Sequence, residues 1–122
     1  MNMTFVEAKW FAKRLKARLP DSEYRQFQQE LLRNSELGDV MSGCGGLRKT
    51  RWGDVRRGKG KRGAFRIIYL WIPEANRIDL IDIYGKDEKQ DLSANEKKDY
   101  AMVAGLLKQE AIAWHRRSKG KK

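Results

Sequence analysis

One cysteine, one histidine and two prolines in 122 residues remove several classes of protein at once. A lone Cys44 cannot build an intrachain disulfide framework or a cysteine-rich zinc site. A lone His115 leaves no pair of histidine ligands for a metal and no two-histidine ribonuclease mechanism. Long hydrophobic runs are missing too. The longest, Ile67 to Ile72, falls far below the roughly 20 residues of a membrane-spanning helix. Glu7, Lys9 and Lys13 interrupt the N-terminal stretch where a signal peptide needs unbroken apolar residues. The last shortage is of acid: 16 Asp and Glu stand against 27 Lys and Arg, a net charge of +11. A chain of this length folds as one domain around its own core. The expectation is a cytoplasmic basic domain with no membrane association, no metal and no cofactor. Its charge calls for a polyanionic partner such as nucleic acid.

Hydrophobic periodicity supplies the elements. Val6, Trp10, Phe11 and Leu15 recur at helical spacing, and Tyr24, Phe27, Leu31 and Leu32 do so again. Leu19-Pro20-Asp21 separates the two helices, with Asp21 or Ser22 available as a cap. Seven of the eleven glycines fall between residues 43 and 63, which excludes a helix there. Leu47 to Trp52 reads as a strand whose alternation sets Leu47, Lys49 and Arg51 on one face and Arg48, Thr50 and Trp52 on the other. Phe65 to Ile72 is apolar on nearly both faces, so it is central. Pro73-Glu74-Ala75-Asn76 turns the chain into a partner strand, Arg77 to Tyr84. Ser93-Ala94-Asn95-Glu96 matches a capping box, and Tyr100, Val103, Ala104, Leu107, Ala111 and Trp114 mark the face of a last helix. The reading is one α+β domain over residues 1–114: an N-terminal helix pair, three to four antiparallel strands and a C-terminal helix. Residues 115–122 read as a disordered basic tail.

Two phosphate-binding patterns in the glycine segment fail on context. Gly58-Lys59-Gly60-Lys61-Arg62-Gly63 spells a dinucleotide fingerprint, and Gly53 to Lys59 begins like a Walker A loop. In both, a strand follows where the chemistry requires a helix. The charge is the stronger signal. Arg48, Lys49, Arg51, Arg56, Arg57, Lys59, Lys61, Arg62 and Arg66 face a single acid, Asp54, between residues 47 and 66. That concentration is costly without a polyanion to relieve it. Asp79 and Asp82 are expected to pair with strand cations, and Cys44 has no partner histidine that would make it a nucleophile. Any catalysis must therefore use Lys and Arg. When a 2′-OH attacks the adjacent RNA phosphate, negative charge grows on the phosphorane, and fixed guanidiniums stabilise that state selectively. A lysine crowded by other cations has its pKa lowered toward the range of a general base.

Six segments in order, taken together, resemble the HigB branch of RelE-like toxins. They are Phe5-Val6-Glu7, Gly38-Asp39-Val40, Gly45-Gly46-Leu47-Arg48-Lys49-x-Arg51, Gly58 to Gly63, Arg66-x-Ile68-Tyr69 and Gly85-Lys86-x-Glu88-Lys89-x-Asp91-Leu92. The match spans residues 5 to about 110. The resemblance implies a helix pair packed on a curved antiparallel sheet. It implies a toxin of a toxin–antitoxin system that enters the ribosomal A site and cleaves mRNA as a metal-independent endoribonuclease. It also implies neutralisation by a HigA-like antitoxin, with operator DNA reached only through that complex.

Carried over position by position, the resemblance assigns catalytic basic roles to Lys49 and Arg51. It assigns stabilisation of the scissile phosphate to Arg66, and a cation near the leaving group to Lys86 and Lys89. Arg48, Arg56, Arg57, Lys59, Lys61 and Arg62 become RNA contacts. The family's downstream tyrosine is replaced here by Leu92 and Ser93, which leaves Tyr84 as the candidate substitute and Trp52 as an auxiliary stacking residue. Two alternatives stand beside this one: a binding-only toxin such as a ParE-like gyrase poison, and a general RNA-binding domain that stacks bases on Trp52 and Phe65.

Overall fold

The computed structural model describes residues 3–53, 65–85 and 92–120. Strand β1 (Thr4–Glu7) leads into helices α1 (Lys9–Arg18) and α2 (Asp21–Arg33). Strands β2 (Asp39–Val40), β3 (Arg48–Trp52), β4 (Phe65–Ile72) and β5 (Arg77–Tyr84) follow, and helix α3 (Ala94–Gly120) ends the chain. The five strands form one sheet in the order β1-β5-β4-β3-β2. The neighbours from β2 to β5 are antiparallel, while β1 lies parallel to β5. The fold is α+β, as the periodicity implies, but the sheet is mixed and gains a strand from the N-terminus.

That extra strand corrects the first helix. Val6 belongs to β1, paired with Asp79, and the Ala8 amide continues the pairing by donating to the Leu80 carbonyl at 3.0 Å. Extended Phe5 and Val6 suit an edge strand, and the helix starts only at Lys9. Its buried stripe then runs through Phe11, Leu15 and Leu19, and Trp10 lies off it, exposed. The cap proposed for α2 also differs. Pro20 occupies the N-cap without a side-chain hydrogen bond, and Asp21 and Glu23 sit in the first turn, where their charge suits the helix dipole. Leu32 of the expected stripe is exposed; Tyr24, Phe27 and Leu31 are buried.

Strand alternation divides the core into two layers. Ile67 and Tyr69 of β4 point to the helix pair, where they meet Phe11, Phe27 and Leu31. Ile68, Leu70 and Ile72 point the other way, toward Leu47, Ala104 and Ala111 beneath α3. β4 is thus buried on both faces, the reason its sequence is almost wholly apolar. A bulge interrupts its pairing with β5: Ile68 opposes Asp82 while Tyr69 opposes Leu80. The extra residue re-aims the strand, and both Asp82 and Ile83 reach the α1 side. The β4–β5 connection is a single 3-10 turn, Pro73–Ala75, closed by Asn76 in the left-handed region at φ 49°, which asparagine tolerates.

Helix α3 begins on the expected capping box. The Glu96 amide donates to Ser93 Oγ at 3.1 Å, and Glu96 Oε1 accepts from the Ser93 amide at 2.9 Å. The helix then continues for 27 residues, through His115 to Gly120, so the region read as a tail is helical as far as it is described. Its seat on the sheet is made of small residues. Gly45, at φ 71°, lies so close that a Cβ there would come within 3.0 Å of Ala101 Cα and Ala104 Cβ. Val103 and Trp114, expected in the core, are exposed, because close helix–loop approach leaves only Ala104 and Ala111 fully covered.

Candidate active site

Residues directly opposite on antiparallel strands share a face. Arg51 opposes Arg66, and Arg66 in turn opposes Tyr84, so the three form one row across β3, β4 and β5. The row lies on the α3 side, since Tyr84 and Ile68 belong to the core layer beneath that helix. Lys49 follows two residues along β3 on the same face, opposite Ile68. The sheet therefore gathers Lys49, Arg51, Arg66 and Tyr84.

Helix α3 packs on the same face of the sheet. It is anchored at the far end of the strands, where Lys108 Nζ donates to the Gly45 carbonyl at 2.7 Å and Glu110 pairs with Arg77 at 2.6 Å. Arg51 is exposed, and Arg66 and Lys49 are half-buried. Tyr84 is buried at 4% exposure. The result is a shelf carrying two guanidiniums and an amine, floored by an aromatic ring. Such a surface can bind a phosphodiester and stabilise charge growing on it. Like charges directly opposite on neighbouring strands are destabilising, and an anion seated between Arg51 and Arg66 would offset that repulsion.

Two sequence-predicted residues lie elsewhere. Arg48 points to the helix-pair side, donating to the Gly38 carbonyl at 2.8 Å and pairing with Glu36 at 3.3 Å. Its guanidinium ties β3 to the loop before β2. Trp52 also faces the helix pair: its indole N–H donates to the Glu23 carbonyl at 3.2 Å, and its ring packs on Phe27 at 5.3 Å. Neither stands on the face of Arg51 and Arg66, and Phe65, opposite Trp52, packs in the same layer. Arg56, Arg57, Lys59, Lys61, Arg62, Lys86 and Lys89 lie outside the described residues.

A set of buried polar groups holds the elements around the site in place. The Tyr69 hydroxyl donates to the Ser35 carbonyl at 3.0 Å and accepts from the Gly38 amide at 2.8 Å; burial raises its pKa above 10.0. With Arg48 on its carbonyl, Gly38 has both backbone groups satisfied by side chains from the sheet. A Cβ at Gly38 would lie 2.9 Å from the Lys49 carbonyl, so only glycine lets β2 close on β3 at Lys49. Asp82, predicted to pair with a strand cation, accepts from Trp10 Nε1 at 2.9 Å and from Arg14 of α1 at 3.3 Å. Asp79 does pair within its strand, with Arg77 at 2.9 Å. Burial pushes the Asp79 carboxyl up and Arg77 pulls it partly back. Burial likewise opposes the charge on Arg77, but Asp79 and Glu110 together outweigh it and hold that pKa above its ordinary value.

Among the described residues no group of three or more His, Cys, Asp and Glu is placed to hold a metal ion, and no helix is long and apolar enough to cross a membrane. No family model matches the chain. Among solved structures it is similar to the isolated E. coli RelE toxin in its P21 form. The TM-score is 0.48 at 15% identity, covering 87% of this chain and 99% of that one.

Proposed function

We infer that this chain is the toxin of a toxin–antitoxin system of the RelE type, a metal-independent endoribonuclease that cuts mRNA in the ribosomal A site. The observation that carries the reading is the cross-strand row Arg51–Arg66–Tyr84 with Lys49 beside it, toward the end of the strands away from the polar anchors of α3. The sequence resemblance to the HigB branch, motif by motif, supports the same residues. In this mechanism the 2′-oxygen forms a bond to phosphorus, the 5′-oxygen leaves, and a cyclic phosphate remains. Arg66 and Arg51 bind the non-bridging oxygens and stabilise the phosphorane more than the ground state. Proton transfer from the 2′-OH and to the leaving oxygen falls to lysines: Lys49 on the shelf, and Lys86 and Lys89 of the following segment. The buried Tyr84 acts as a floor that positions Arg66. A HigA-like antitoxin is the expected neutralising partner.

The test is a reconstituted translation reaction with a defined mRNA, with cleavage ends mapped by primer extension. Wild-type protein should cut only when ribosomes are present, and Arg66→Ala should fold and leave the mRNA intact. A folded Arg66→Ala protein that cuts normally would remove Arg66 from the site. One observation favours a binding-only toxin such as a gyrase poison: Tyr84, the aromatic available in place of the family's tyrosine, is buried. Intact mRNA in every lane together with inhibited DNA supercoiling would establish that second reading.

A further inference from the structure

Helix α1 carries a surface that the shelf does not use. Its ten residues include Lys9, Lys13, Arg14, Lys16 and Arg18 and no acid. Lys9, Lys13 and Lys16 are exposed, and none makes an ion pair among the described residues. Between them stands Trp10, 58% exposed although it is the largest apolar side chain of the helix. The ring is not loose. Its N–H is bonded to Asp82, itself only 3% exposed, and the Arg14 guanidinium stacks over it at 4.7 Å. An exposed aromatic ring locked from beneath and flanked by lysines that make no ion pair among the described residues is built for contact.

Its position joins it to the shelf. Ala8 is bonded to Leu80, and six residues further on Arg14 reaches the Ile83 carbonyl at 3.4 Å, so α1 advances along β5 toward Tyr84. The α1 surface and the Arg51–Arg66 row thus lie on opposite faces of the sheet but at the same end. We propose that the exposed face of α1, Lys9, Trp10, Lys13 and Lys16, is a second RNA-binding surface that grips the backbone of folded RNA beside the strand being cut. The proposal rests on the endoribonuclease reading only in taking RNA as the partner. Lys9 to Lys16 spans about 10 Å of helix axis, the length of roughly three phosphates along one strand of a duplex. A single fixed ring among cations suits a base or ribose. A docked helix would need several apolar anchors at helical spacing, and this face offers one.

Binding of a labelled 2′-O-methyl RNA hairpin, which resists cleavage, is measured against potassium chloride concentration. The variant Lys9→Gln/Lys13→Gln/Lys16→Gln should reduce the slope of log affinity against log salt by about 2 to 3. Trp10→Leu should weaken binding roughly tenfold with little change in slope. Arg51→Thr/Arg66→Thr should leave the α1 share of the slope in place. An unchanged slope in the lysine variant overturns the proposal, as does a wild-type protein that ignores the hairpin. A variant that keeps the hairpin but loses poly-glutamate binding overturns it in favour of an acidic protein partner. Ribosome-dependent cleavage is scored in parallel. Cutting with an unchanged slope sinks only the α1 surface, and a reduced slope without cutting sinks only the nuclease.

Discussion

Arg48 and Arg51 are three positions apart on one strand and on opposite faces, and the proposed site gives them opposite duties that a pair of threonine substitutions separates. Threonine keeps the strand preference of the backbone, so what changes is the guanidinium. Arg48 makes a 2.8 Å bond to the Gly38 carbonyl, and its side chain is 19% exposed. A hydrogen bond from a charged donor contributes about 1.5–3 kcal/mol when buried. The Glu36 pair adds little, because Glu36 is largely in solvent. Arg48→Thr should therefore cost about 1.5 kcal/mol, a fall of roughly 5 °C in melting temperature for a domain of this size. Arg51 has no bond to lose among the described residues and faces the like charge of Arg66. Relief of that repulsion adds about 0.2–1 kcal/mol, so Arg51→Thr should melt at or slightly above the wild-type temperature. Activity should run the other way. At 25 °C, where both variants are folded, Arg48→Thr should cleave mRNA nearly as wild type does, and Arg51→Thr should lose about 100-fold or more. Thermal melts by circular dichroism and initial cleavage rates supply both readouts. A stable, inactive Arg48→Thr beside an unstable, active Arg51→Thr would mean that β3 is out of register by one residue, since such a slip exchanges the two faces.

The alkaline limit of stability should be set in part by tyrosines. Burial and the Glu7 carboxylate hold the Tyr24 hydroxyl far above its ordinary pKa of 10.0, and burial raises Tyr69 as well. The native state keeps these protons while the unfolded chain loses them. Stability is therefore full below pH 10 and falls above it by up to about 1.4 kcal/mol per pH unit for each tyrosine; Tyr24→Phe should flatten that fall in urea titrations. Arg77→Met should destabilise by about 3 kcal/mol or more, because it strands the buried Asp79 carboxylate. Asp79 then takes up a proton more readily folded than unfolded, so this variant should gain stability as pH falls from 7 toward 5, and adding Asp79→Asn should remove that gain. Gly45→Ala should cost about 1–3 kcal/mol by forcing Ala101 and Ala104 away, with the loss visible as reduced hydrogen-exchange protection in α3.

What the sequence revealed and what it concealed follow from the range of the forces involved. The capping box at Ser93 and Glu96, the turn at Pro73 to Asn76 and the central strand from Phe65 to Ile72 are all written in neighbouring residues, and each formed where the pattern put it. Strand β1 is different. Four residues carry too little periodicity to separate an extended edge from a first helical turn, and their conformation is set by parallel pairing with β5, far along the chain. The error at Trp10 has the same origin. Once Val6 is removed from the helix, the buried stripe is Phe11, Leu15 and Leu19, and Trp10 falls among Lys9, Lys13 and Arg14. Only the bulge that turns Asp82 toward α1 explains why an indole belongs there. On β3, alternation separates Arg48 and Trp52 from Lys49 and Arg51 without saying which set lies beneath a helix. That choice is made by the Gly38 and Glu23 carbonyls, which take the N–H groups of Arg48 and Trp52 on the helix-pair side. The same cationic run thus splits between two faces: Arg48 is tied to the helix-pair side, while Lys49 and Arg51 share the face of Arg66 that the proposed chemistry uses.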